Sequence, residues 1–355
     1  MNEAIILILC PSTEILDQNY KKYLTYGGQA SIYSASMKSK EIGTVTFATI
    51  GSIKGRQAEF SHVKYVLIDE CHLVPPAKQK GNRITHSMFT EFIYGLQDVQ
   101  DIRVLGLTAT PFRLKKFRDP WTKVPYSQIN LLNRMRPLFF NKFLHVTQVK
   151  ELYEQGFLCP VKYTPLNWDG SKLVVNTTGA DFTEDSMDKA LIAEHVIERL
   201  PAIVEDTIKA GRNYRIVFVS SVADAEYLKE IVPDSECVSS DTKPKERERI
   251  LTAFKAGEVK TVFNVGVLTI GFDFPALDTI IIARPTMSFA LYMQMIGRGI
   301  RPHESKTECE VIDMCGNHAR FGEIETVTYS QSSEGQKLWE LRSGKKLLSN
   351  VALKA

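Results

Sequence analysis

Two carboxylates stand side by side in Lys64–His72, KYVLIDECH, directly after an apolar run. Tyr65–Ile68 has the continuous apolar character of a strand buried on both faces of a parallel sheet. Asp69 and Glu70 then fall at its carboxyl end. Side chains alternate along a strand, so the two leave in different directions. The carboxyl ends of strands are where open α/β sheets bind ligands. One carboxylate there can hold a hydrated Mg²⁺ while the other orients or deprotonates a water. Taken alone, the same pattern is a strand entering a polar turn, and partners elsewhere in the chain must decide.

Gln294–Pro302, QMIGRGIRP, supplies cations of the right kind. Arg298 and Arg301 are three apart, which a helix places on one face. Gly297 and Gly299 flank the first, each costing a helix interior about 1 kcal/mol against alanine. A close approach of backbone or ligand explains two such glycines better than a solvated helix does. Two fixed guanidiniums match the charge that develops on a transferred phosphoryl group. Asn264–Pro275, NVGVLTIGFDFP, sets two glycines and Asp273 after a strand. Asp273 can accept from a ribose or from an arginine, or simply cap a turn. Thr108–Ala109–Thr110 puts two short hydroxyls at another strand end, suited to relaying a shift between neighbouring sites or to capping alone.

The elements that must position these groups alternate strand and helix. Ala4–Cys10 reads as the first strand, and Ser12 or Thr13 can cap a helix over Glu14–Tyr23. Further strands fall at Ile32–Ser36, Thr44–Ile50 and Arg103–Leu107, with a helix over Ser87–Leu96. Val149–Gly156 reads as a helix stopped by Gly156. Asn167–Asp181 reads as a loop or hairpin between domains. A second α/β unit follows, with strands at Arg215–Val219, Glu236–Ser239, Lys260–Val265, Thr279–Ala283 and Glu310–Met314. Its helices are expected over Met187–Lys209, Ala223–Ile231, Lys245–Ala256 and Phe289–Ile300. Ser330–Ala355 reads as a peripheral helix or tail. The fold class is therefore α/β, two tandem domains with mostly parallel sheets. Their expected bounds are 1–144 and 185–330, with a connecting segment at 145–184 and a tail at 331–355.

At 355 residues the chain is long enough for about two domains with their own cores. No apolar run approaches the ~18–20 residues that span a bilayer, and Ala4–Cys10 lacks the flanks of a signal peptide. A cytoplasmic location is expected, with no membrane partner. The six cysteines form no C-x-x-C pair, against a zinc site or a disulfide framework. A net charge of +3 is too small to advertise nucleic-acid binding by itself. The local basic runs, Arg113–Arg118 (RLKKFR) and Arg134 with Arg136, are as well explained by a solvated face.

In order, PSTEIL (11–16), the Thr49–Gly51 turn, DECH (69–72), TATP (108–111), FVSS (218–221), VGVLTIGFDFP (265–275) and QMIGRGIR (294–301) resemble superfamily 2 helicases of the DEAD/DEAH type. The resemblance covers about residues 4–320. It is nearest to the RadD-type bacterial DNA-repair helicases and their phage relatives, on LGLTATPFRL (105–114), NVGVLTIGFD (264–273) and ARPTMSFALYMQMIGRGIRP (283–302). It implies two RecA-like domains, ATP and Mg²⁺ as cofactors, and a nucleic-acid partner, DNA favoured over RNA. It implies that Asp69 holds Mg²⁺, Glu70 activates the attacking water and His72 links this loop to the second domain. Thr108 and Thr110 would couple hydrolysis to motion. Gly271 and Asp273 would lie on the nucleotide side of the second domain, with Gln294, Arg298 and Arg301 facing the γ-phosphate. Pro11, Ser12, Thr13, Thr49, Gly51 and Ser220 would contact the nucleic-acid backbone, which carries no sequence code.

One part of the family pattern has no match here. These 355 residues contain no G-x-x-x-x-G-K-[ST] phosphate-cradling loop. Charge-assisted bonds of that loop are worth ~1.5–3 kcal/mol each, so losing four removes ~6–12 kcal/mol. A micromolar nucleotide site is worth only ~8 kcal/mol. The expectation is that this chain alone hydrolyses ATP poorly and that its first sheet keeps an unpaired edge. It would be an N-terminally truncated helicase, one half of a split protein whose companion chain carries the loop, or a helicase-like module that only binds DNA or a partner. The motor part of a restriction endonuclease is a further alternative.

Overall fold

The computed structural model describes residues 5–75, 78–80, 83–121, 125–268, 273–332 and 338–353. The chain divides into two compact units. One comprises Met1–Arg113 and Asn130–Leu144, the other Leu114–Ile129 and His145–Ala355. Both are α/β with parallel sheets, as the alternation of apolar runs and capped helices requires.

In the first unit, β1 (Ile6–Cys10), β2 (Ser31–Ser34), β3 (Ser39–Lys40), β4 (Val45–Thr49), β5 (Tyr65–Ile68) and β8 (Arg103–Gly106) form a sheet in the order β3-β2-β4-β1-β5-β8. All its pairings are parallel except β2 with β3. A short ribbon, β6 (Lys78–Lys80) with β7 (Arg83–Thr85), stands apart. Helix α1 (Thr13–Thr25) starts where Ser12 Oγ accepts from the Ile15 amide, and it lays Ile15 and Leu16 on Cys10, Val45 and Phe47. Helix α2 (Ile50–Ile53) follows β4 directly. On the opposite face α3 (Met88–Gln97), begun by a Ser87–Thr90 capping box, packs Phe92, Ile93 and Leu96 against Leu7, Leu9, Val66 and Ile68. Each cluster removes enough apolar surface to anchor its helix, at roughly 1.5–3 kcal/mol for each fully buried large side chain.

β5 is not buried on both faces, as its apolar run led us to expect. Val66 and Ile68 are fully inside, but Tyr65 is 41% exposed. The register places Leu67 beside Leu105 on the same face, and Leu105 and Leu107 are also exposed. Helix α1 packs on the neighbouring β1 and β4, so this side of β5 and β8 is left half open.

The second unit is built on β11 (Val161–Pro165), β12 (Arg215–Val219), β13 (Ser235–Val238), β14 (Thr261–Asn264), β15 (Thr279–Ala283) and β16 (Cys309–Asp313), in the order β11-β16-β15-β12-β14-β13 and parallel throughout. Around it run α4 (Val149–Glu154), α5 (Glu184–Ala193), α6 (Val196–Lys209), α7 (Val222–Ile231), α8 (Pro244–Ala256), α9 (Phe289–Gly297) and α10 (Asn317–Phe321). Where one helix was expected over Met187–Lys209 there are two, because His195 turns into the left-handed region. The segment read as an inter-domain loop, 167–181, belongs to this unit. Asp181 fixes it by accepting from Arg284, Thr286 and the Met287 amide.

Two smaller sheets complete the unit, except that Phe112, Arg113, Asn130 and Leu131 at their margins belong to the first unit. β9 (Phe112–Arg118), β10 (Pro125–Leu131) and β20 (Ala352–Leu353) form one, and β17 (Val327–Gln331), β18 (Trp339–Ser343) and β19 (Lys346–Leu347) the other. The C-terminal stretch is thus stranded where a helix or tail was expected. Its period-two burial, with Val327, Tyr329, Leu341 and Ser343 inward, is masked in the sequence by the polar residues between. All six cysteines are buried free thiols. Among the described residues no helix is long and apolar enough to cross a membrane.

Candidate functional site

Parallel pairing gathers the expected residues of the first unit onto one edge of its sheet. Cys10 is in register with Thr49, Leu9 with Ile68, and Ile68 with Gly106. The segments that leave β4, β1, β5 and β8 therefore emerge side by side. They carry Thr49–Gly51, Pro11–Thr13, Asp69–His72 and Thr108–Thr110.

Asp69 is held from two sides. Its Oδ2 accepts from Asn19 Nδ2 of α1 at 2.7 Å and its Oδ1 from the Glu70 amide at 2.9 Å. Among the described residues each oxygen accepts one of these bonds, and a carboxylate oxygen has a second lone pair. Asn19 also reaches Cys10 Sγ, whose thiol burial pushes up to about 12, so it stays neutral beside the carboxylate. Glu70 sits in the left-handed region, φ 47 and ψ 46. A non-glycine residue there stores roughly 1–2 kcal/mol, and such strain concentrates where a side chain must be aimed. It turns Glu70 Oε2 to 3.2 Å from His72 Nδ1.

His72 is buried and its Nδ1 also lies 2.8 Å from Thr108 Oγ1. That hydroxyl accepts from the Thr110 amide at 3.0 Å, and the Cys71 amide donates to the Leu107 carbonyl at 3.0 Å. Arg113, in β9, donates to the carbonyls of His72 and Val74. The loop after β5 and the loop after β8 are thereby one hydrogen-bonded body. The bonds of His72 with Glu70, Thr108 and Arg113 lie within the first unit. Thr110 Oγ1 is buried without a hydrogen-bond partner among the described residues.

Among the described residues no group of three or more His, Cys, Asp or Glu could hold a metal. Among the described residues a cation here would rest on Asp69, completed by water and phosphate oxygens. That donor set suits Mg²⁺, which keeps several waters and takes one or two carboxylates.

On the neighbouring strand ends, Ser12 caps α1 and Thr49 Oγ1 meets Ser52 Oγ at 2.9 Å. Gly51 is exposed, and a Cβ there would meet nothing within 4 Å. The fold does not demand glycine at that position, so room for a ligand backbone is a sufficient reason for it. The helix start at Ser12 adds a partial positive charge and unpaired amides, which favour anions.

In the second unit, Ser220 follows β12, and its Oγ is buried with no hydrogen-bond partner among the described residues. Gln294 lies on α9, half-buried. The arginine pair differs from expectation. α9 ends at Gly297, Arg298 is its C-cap, and Arg301 lies beyond, so no helix aligns the two. Gly299 explains the stop: a Cβ there would sit 2.3 Å from Cys309 Sγ, so the chain must press against β16. The close approach read from this glycine is one of backbone to core. Gly297 has open space around its Cα, as a ligand approach would need. Arg301 pairs with the Asp273 carboxylate, both partly exposed. Gly271 lies outside the described residues. Asn19 and Arg113 had no assigned role in the sequence, because their partners are 50 and 41 residues or so distant.

Residues 1–113 match the family described as "Type III restriction enzyme, res subunit", and residues 195–303 the "Helicase conserved C-terminal domain". "Putative ATP-dependent helicase IRC3" of Saccharomyces cerevisiae is 30% identical over 52% of this chain and 27% of its own length. A "51.5 kDa protein" of a Lactococcus phage is 24% identical over 88% of this chain and 60% of its own. The chain thus spans between about a quarter and three-fifths of these relatives. Among solved structures, the "ATP-dependent Type ISP restriction-modification enzyme LlaBIII bound to DNA" aligns with a TM-score of 0.58 at 14% identity, over 89% of this chain and 24% of that one. "S. cerevisiae Dbp5 bound to RNA and ADP BeF3" aligns at 0.50 and 15%, over 88% and 72%. The two units are RecA-like α/β domains with the motif loops at their strand ends, and the chain belongs to the superfamily 2 helicases.

Proposed function

We propose that this chain is the motor core of an ATP-dependent helicase or translocase that moves on or unwinds nucleic acid, DNA in preference to RNA. In this reading it is of the RadD type and works in DNA repair or recombination in the cytoplasm. The observation that carries it is the single sheet edge at which Asp69, Glu70, Thr108 and the Ser12 and Thr49 turns emerge from adjacent strands. Asp69, fixed by Asn19, would hold Mg²⁺, which screens the phosphate charge. Glu70, aimed by its left-handed backbone, takes the proton of the attacking water, and His72 passes the rearrangement to Thr108 and Thr110. The helix start at Pro11–Thr13, with Thr49 and Gly51, takes backbone phosphates of the nucleic acid, as Ser220 does in the second unit. Gln294, Arg298 and Arg301 serve the nucleotide from that unit, with Gly271 and Asp273 beside it. The phosphate-cradling loop comes from a companion chain or from further sequence of the same protein.

The test is ATP hydrolysis with and without DNA, on this chain and on one extended by a phosphate-loop segment. We expect slow turnover alone and DNA-stimulated turnover in the extended form, abolished by Glu70→Gln. Turnover indifferent to Glu70→Gln would sink the proposal. A second reading, the motor of a restriction endonuclease, is favoured by the res-subunit match over residues 1–113. Cleavage of DNA by the whole protein would separate it from the first.

A further inference from the structure

We propose that the hairpin of β9 and β10 is a binding platform for single-stranded nucleic acid, on which bases stack against Trp121 and the Phe117–Tyr126 pair while Lys115 meets the phosphates. This rests on the nucleic-acid motor reading and goes beyond it, since none of these residues lies in the segments assigned above. Trp121 is 87% exposed, at the turn that follows β9. A single exposed tryptophan is ordinary, but this one shares its pair of strands with a second aromatic feature, the Phe117–Tyr126 stack. Its amide donates to Asp119 Oδ1 at 2.9 Å, which fixes the turn beneath it. Phe117 and Tyr126 stack across the two strands with centroids 5.7 Å apart and planes 20° from parallel. Lys115 Nζ stands 5.5 Å from the Phe117 centroid.

Strand alternation separates a seated face from a free one. Leu114 packs into the cluster of Leu173, Phe182, Met187, Ala190 and Met287, and Lys116 Nζ donates to the Thr177 carbonyl at 2.8 Å. Ser127 of β10 donates to the Gly179 carbonyl at 2.7 Å, and β20 backs the hairpin as a third strand. Lys115 and Phe117 point the other way. Lys115 is exposed, with no carboxylate partner among the described residues. A rigid base, flat aromatic faces and neighbouring cations are the parts of a sequence-tolerant single-strand site. A duplex hides its base faces and could use only the Lys115 cation, so the aromatic rings select unpaired strands.

The experiment uses the full chain and an oligo-dT of about 20 nucleotides, enough to exceed the site sizes of known single-strand binders. Emission of the exposed Trp121 should fall on binding, and this quench should vanish in Trp121→Phe. Trp121→Ala should weaken binding roughly 5- to 100-fold, with unchanged circular dichroism and thermal midpoint. Lys115→Ala should flatten the slope of log affinity against log salt by about 0.7. Oligo-dT binding with no quench and no loss in these variants, or an equal loss on a blunt duplex, overturns the platform and leaves the motor reading to its own test. No nucleic-acid binding by the chain at all overturns both.

Discussion

Asn19 shows what one side chain contributes to the candidate site. It spans from α1, whose first turn is the expected phosphate contact, to Asp69, the expected metal ligand. A neutral donor on a carboxylate fixes its orientation without neutralising it, and such supporting partners typically carry 10–100-fold of metal affinity or activity. We expect Asn19→Leu to weaken Mn²⁺ binding in the presence of nucleotide by about tenfold, read by titration of the free Mn²⁺ spin signal. Unchanged affinity would remove Asn19 from the site. Glu70 offers a second residue-scale test, because its left-handed backbone stores strain that glycine relieves. Glu70→Gly should raise unfolding stability by about 0.5–1 kcal/mol in urea titration while abolishing any hydrolysis; a fall in stability would show that the side chain's bonds outweigh the strain. The sequence showed Asp69, Glu70 and Thr108 because short motifs mark them. It did not show Asn19, whose importance exists only once β1 and β5 are known to be neighbours.

At the scale of elements, strand order does most of the positioning. Caps and apolar runs were legible: Ser12, Ser87 and Gly257 stand where helices start or stop, and α8 has nearly the bounds its charged pattern suggests. The end of α9 was not, because the Gly299 contact with Cys309 comes from a strand ten residues on in the chain but buried elsewhere in the sheet. Nor were β17–β20, short and polar on one face. Between β11 and β16 a polar cluster around the buried Glu310 does the joining: Glu310 accepts from Thr164 at 3.0 Å and pairs with the exposed Lys162 at 2.9 Å and Arg212 at 3.3 Å. Burial alone would push this carboxyl up, but Lys162, Thr164 and Arg212 outweigh it and hold it below the usual carboxylate range. A group depressed in the folded state stabilises fully above its unfolded value of about 4.3 and loses that contribution as pH falls through the folded value. Glu310→Ala should therefore cost about 1–2 kcal/mol near neutrality, since Arg212 keeps Glu308 and Lys162 reaches water. The gap between the two proteins should begin to narrow below about pH 4 and go on shrinking with further acidification in urea unfolding across a pH series. A gap that persists in acid would point to packing rather than charge.

For the whole molecule, β8 is the end strand of the first sheet, and Leu105 and Leu107 are exposed on the half-open face beside it. An end strand carries a row of peptide groups free to pair with another chain, and apolar side chains next to it make that pairing favourable. Arg103 is the one exposed charge within β8, and a net charge of +3 gives little long-range repulsion between copies. We therefore expect the isolated chain to self-associate reversibly through this edge as concentration rises. The substitution to make is Leu105→Lys, since the neighbouring Leu107 backbone is already committed to Ile68 and Cys71. Lysine at a partly exposed end-strand position costs little stability, within about 0.5 kcal/mol, because its stem can lie along the same apolar surface while its ammonium reaches water. Its charge would face the matching position of an incoming strand, where desolvation opposes pairing. Sedimentation velocity over a concentration series should then show the wild-type weight-average coefficient rising and the variant's staying flat, with equal thermal midpoints. Equal association in both would place the contact elsewhere on the surface and leave the β8 edge protected by its own twist and by Arg103.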